Sequence, residues 1–139
     1  MSMKKEIIEK WEANKHLLEK YFKETEQEEY LSYETIFKKV IELCLNTSDN
    51  SWETYNLNAV TVIDDGDYQG TQIFIIPKNT YQPSFEDYLI TNTYYGSCSG
   101  CDTLQGISSY DYGLPSEEQV KDYMMLSLHL VQKMKYLND

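Results

Sequence analysis

Twelve residues, Tyr94-Tyr95-Gly96-Ser97-Cys98-Ser99-Gly100-Cys101-Asp102-Thr103-Leu104-Gln105, hold two of the chain's three cysteines and two of its six glycines. Small and hydroxylic residues dominate the middle of the run, so it does not read as core. Glycine frees the backbone and lets another group approach closely. Three chemistries fit the pattern. The C-x-x-C spacing of Cys98 and Cys101 suits a metal or a redox pair. A tetrahedral zinc needs four ligands, and the remaining thiol and imidazole candidates are Cys44, His129 and His16. A Cys3His site from Cys98, Cys101, Cys44 and His129 is therefore conceivable, although Cys44 falls on an apolar helical stripe and reads equally as core. The second chemistry is anion binding. Successive backbone N–H groups in a Gly-rich turn form a nest, Ser97, Ser99 and Thr103 add hydroxyls, and Tyr94 or Tyr95 could stack a base. Asp102 competes for the same amides, and in the third reading it simply caps the short turn that follows. We carry Tyr94, Tyr95, Ser97, Cys98, Ser99, Cys101, Asp102, Thr103, Gln105, Tyr110 and Tyr112 as candidate ligand- or partner-binding residues. No resident cofactor is expected; zinc is the one metal the cysteines could hold.

Other constellations are weaker. Asp64-Asp65-Gly66-Asp67 could hold a divalent cation, but it lacks the spacing and terminal Glu of an EF-hand and reads as a solvated turn. No catalytic triad or metalloprotease helix is spelled out, and two histidines with no arginine leave an ordinary enzyme short of parts. The expectation is a protein that binds rather than catalyses.

Charge sharpens that expectation. The formal net charge is −11. Residues 1–46 carry 8 Lys against 10 Glu, residues 120–139 carry 3 Lys against 2 Asp, and residues 47–119 carry 11 acids against Lys78 alone. A central field of −10 repels nucleic acid, and without arginine the usual fork for phosphate and guanine is missing. Direct nucleic-acid binding is thus not expected. A basic protein partner, a divalent cation or mimicry of DNA suits the field better. Eight of the 13 tyrosines lie in the same region, supplying rigid area with a polar tip.

The elements that must position this run follow from periodicity. Residues 4–23 form an amphipathic pattern with Ile7, Ile8, Trp11, Leu18, Tyr21 and Phe22 on one stripe. A second helix is expected over 32–46, capped by Ser32, with Tyr33, Ile36, Phe37, Val40, Ile41 and Cys44 inward. Strands are expected over 57–63, 71–76 and 88–95, the first two as a hairpin around the Asp/Gly turn. Pro115 and the capping box Ser116-Glu117-Glu118-Gln119 open a last helix running to the C-terminal residues, apolar on more than one side. The expected fold is α+β: a small antiparallel sheet of about three strands packed by two N-terminal helices and one long C-terminal helix. It is read as one domain, 1–139, made of a helical part (1–46), a β-rich acidic part (47–113) and the C-terminal helix (114–139). Neither an apolar h-region nor a span of about 20 apolar residues is present, so a cytoplasmic protein without membrane contact is expected.

The string Tyr-Tyr-Gly-Ser-Cys-Ser-Gly-Cys-Asp-Thr-Leu-Gln-Gly-Ile at 94–107 resembles a family of small proteins of large tailed bacteriophages. The resemblance extends over Ile73-Phe74-Ile75-Ile76-Pro77, Thr80-Tyr81-Gln82-Pro83-Ser84 and Leu128-His129-Leu130-Val131-Gln132-Lys133, about residues 71–135. It brings no catalytic residues with it. What it implies is a phage accessory protein, made in the cytoplasm of a bacterial host, of the host-takeover or anti-defence kind. Such a protein would bind and neutralise a host protein or sequester a small nucleotide immune signal through the 94–105 loop. A structural zinc module and an acidic DNA mimic are the other readings.

Overall fold

The computed structural model describes residues 3–27, 31–66, 69–96, 102–108 and 113–137. The chain is α+β, with helices from both ends packed on one antiparallel sheet. Helix α1 (Met3–Glu24) is followed by α2 (Tyr33–Val40), whose N-cap Ser32 accepts from the Thr35 amide. A wide π-type turn, Ile41–Leu45, ends it, closed by Asn46 N–H donating to Ile41 O at 2.8 Å. Strands β1 (Thr61–Asp64), β2 (Gly70–Pro77), β3 (Tyr88–Tyr95) and β4 (Lys135–Tyr136) lie in spatial order β1-β2-β3-β4, all antiparallel. Between β3 and β4 come α3 (Thr103–Ser108) and α4 (Glu117–Gln132).

The register explains the core. Phe74 pairs with Thr91 and Ile76 with Leu89, which sets these side chains on one face. That face is buried. Phe37 of α2 stacks on Phe74 with ring centroids 5.1 Å apart, and Phe22 of α1 stacks on Tyr123 of α4 at 4.8 Å. Thr91 is buried as well, and its hydroxyl donates to the Leu130 carbonyl at 2.7 Å. That carbonyl sits in the last turn of α4, where intrahelical partners run out. One hydroxyl therefore joins sheet to helix: buried Thr91 finds an acceptor in a carbonyl that also takes the Lys133 amide at 3.3 Å.

The structure corrects three expectations. The first strand is shorter and later than 57–63, covering Thr61–Asp64 with every residue exposed. The second helix runs as an α-helix only to Val40. The last helix stops at Gln132, and Lys135–Tyr136 forms a fourth strand against Leu89 and Ile90. Tyr136 is buried, and its hydroxyl lies 2.6 Å from that of Tyr55. Helical periodicity cannot foresee this: backbone pairing and one tyrosine–tyrosine hydrogen bond outweigh the local preference of the last residues.

Candidate functional site

The cysteine-bearing run leaves the sheet at the end of β3 and re-enters described structure at Asp102. Asp102 is buried, only 5% exposed. Its Oδ2 accepts the Gly96 amide at 2.8 Å, and its Oδ1 accepts the Tyr33 hydroxyl at 2.8 Å. The Tyr33 oxygen in turn accepts the Leu104 amide at 3.1 Å. The Asp102 carbonyl takes the Gly106 amide at 2.9 Å, opening α3. One carboxylate thus ties the exit of β3, the start of α2 and the start of α3 into a single buried clamp. Burial raises the Tyr33 hydroxyl well above the ordinary tyrosine range, with Asp102 adding to the shift and the Leu104 amide opposing it. Tyr33 therefore stays protonated and keeps donating to the carboxylate.

Both readings of Asp102 meet this clamp. The carboxylate does compete for amides, and it holds the one at Gly96. That N–H is spent inside the protein and is not offered to an anion. Ser97, Cys98, Ser99, Cys101, Tyr110 and Tyr112 lie outside the described residues, and of Gln105 the backbone alone is described, within α3.

The paired tyrosines do not act as one platform. Adjacent strand residues point to opposite faces, and the two rings separate accordingly. Tyr94 is 57% exposed. Tyr95 turns to the β1–β2 hairpin, where its hydroxyl lies 2.5 Å from Asp64 Oδ1 and 2.9 Å from Gly66 O. The Asp/Gly turn is accordingly a structural device. Asp64 also accepts the Gly66 amide and the Gln72 side chain, and Asp65 accepts the Thr71 amide at 2.7 Å. These bonds, led by that from Tyr95, hold the Asp64 carboxyl below its usual range. A Cβ on Gly66 would fall 1.9 Å from Gln69 O, so no larger residue fits. Two of the carboxylates proposed as cation ligands, Asp64 and Asp65, are turned to the turn's own donors and to Tyr95, while Asp67 lies outside the described residues.

Thr103 is exposed at the start of α3 and contributes to an open groove of about 300 Å³ between α3 and α4. The groove also receives Gly106, Ile107, Asp122, Met125, Leu126 and His129. His129 is thereby brought beside Thr103. Asp122 and the half-exposed Met125 join them without having been foreseen; each falls on the outer side of α4, a stripe the helix period does reveal.

Of the Cys3His zinc set, Cys44 and His129 fall within the described residues. Cys44 is fully buried in the core, and its thiol points to the Asn14 carbonyl at 3.8 Å. Burial pushes its pKa up to about 12. His129 stands exposed on α4, in the groove, and Cys98 and Cys101 lie outside the described residues. Among the described residues no group of three or more His, Cys, Asp or Glu converges as a metal site, and no described helix is long and apolar enough to cross a membrane. No family model matches the chain, and neither a curated protein nor a solved structure matches it.

Proposed function

We infer that this chain is a non-enzymatic phage accessory protein that binds and neutralises a basic protein of the bacterial host. The observation that supports this most is the segregation of charge: a field of −10 over residues 47–119, in a chain lacking arginine. Such a field attracts a basic macromolecule over a Debye length of about 8–10 Å and accelerates encounter. The resemblance of residues 94–107 to phage proteins supplies the setting. Sequestering a nucleotide signal is the less favoured reading, since the Gly96 amide is already taken and the field is repulsive to phosphate.

The test is affinity capture from a bacterial lysate with the purified chain, followed by reconstitution with the captured protein. The expected result is one basic host protein, retained at low salt, released at about 0.5 M NaCl, and inhibited when mixed with the chain. Recovery of a small nucleotide instead, or of nothing, refutes the reading.

A further inference from the structure

Strand pleating sorts the sheet's side chains into two sets. The set with Phe74, Ile76 and Leu89 is sealed under the helices. The other set faces away. Across the register Ile75 lies beside Ile90, and Ile63 beside Ile73. Ile63 and Tyr94 are 48% and 57% exposed, while Ile73, Ile75 and Ile90 are only partly covered. Four isoleucines thus make an apolar patch across three strands, with Tyr94 beyond Asn92 and Thr71 on the same face.

The charge of this face says what fits it. No strand position on it carries Asp or Glu, although the chain is −11 overall, and among the described strand positions of this face Lys135 on β4 alone is charged. A basic polypeptide would find no carboxylate to pair with here. Two copies of the chain repel wherever their acids meet, and this face brings none together. A two-fold axis would lay isoleucine ridges on isoleucine ridges, the usual isologous contact of packed sheets. We propose that the outer sheet face, centred on Ile73, Ile75 and Ile90, is the interface of a homodimer. The acidic side chains are then left on the outer surfaces of the pair. This inference stands apart from the identity of any host target.

Sedimentation equilibrium over a micromolar concentration series tests it. The expected mass at the upper end is twice the 16.4 kDa of the chain. Ile73→Glu and Ile90→Glu, each made alone, should weaken the dimer at least about tenfold, because a carboxylate would be buried unpaired. Leu17→Glu, on a 39% exposed residue of α1, should leave the mass unchanged. Raising NaCl from about 0.05 to about 0.5 M should tighten association, since like charges are screened. Ile63→Glu, at the half-exposed edge strand, serves if circular dichroism shows either central variant to be unfolded. A monomer at all concentrations, a dimer indifferent to the isoleucine substitutions, or one loosened by salt overturns the proposal.

Discussion

Asp102 shows how one buried side chain can tie distant elements together. Its residue type and position beside a Gly/Ser/Cys loop fit anion chemistry and capping equally well. The distances favour a structural role: both carboxylate oxygens are engaged, one by Gly96 N–H and one by Tyr33 O–H. Asp102→Asn replaces one acceptor oxygen with a donor amide, leaving either the Gly96 amide or the Tyr33 hydroxyl facing a donor. It should lower unfolding free energy by about 1–3 kcal/mol in a urea titration. Tyr33→Phe should cost about the same order, and the double variant should fall short of the sum because both break one network. A second prediction concerns Tyr95. Tyr95→Phe removes the leading hydrogen bond to Asp64, so NMR titration should find that carboxyl closer to its ordinary pKa. The Asp64 pKa is depressed in the fold, so its stabilising contribution is present above the ordinary Asp range and is lost as pH falls through the folded value. Tyr95→Phe should flatten stability in that acidic window.

At the scale of elements, caps and register carry the fold. Ser116 and Gln119 form a reciprocal capping box at the start of α4, with Ser116 N–H donating to Gln119 Oε1 at 2.8 Å and Gln119 N–H to Ser116 Oγ at 3.2 Å. Ser116→Ala should destabilise by about 1 kcal/mol, read from the denaturation midpoint. Phe74→Ala empties a fully buried site that α2 stacks upon, and should cost about 3–5 kcal/mol. Capping boxes are short-range and legible in the string Ser-Glu-Glu-Gln. The two-residue strand β4 is not, because Lys135 and Tyr136 gain their extended conformation from Leu89 and Ile90, more than forty residues away.

For the molecule as a whole, the buried thiol of Cys44 couples the fold to alkaline pH. Its pKa, raised to about 12 by burial, exceeds the value of about 8.5 expected in the unfolded chain. Folding therefore suppresses ionisation, and the associated stability is fully present below the unfolded pKa and declines as pH rises above it toward the folded value. Thermal unfolding followed from pH 8 to pH 11 should show a falling midpoint, and Cys44→Ala should reduce that slope. In the same protein, alkylation at about pH 8 followed by peptide mass analysis should leave Cys44 unmodified until denaturant is added.

The α+β class, both long helices, the β1–β2 hairpin and the last helix's cap were legible in the chain because each depends on periodicity or on residues within a turn of one another. The charge segregation needs nothing but the order of residues. Tertiary structure alone decided that Asp102 closes a clamp with Tyr33, 69 residues away, that Tyr95 meets Asp64 of the hairpin, and that β4 exists. It also placed His129 in a groove with Thr103. Those outcomes depend on which distant groups arrive within hydrogen-bonding range or bury one another, and local residue order carries no distance between them.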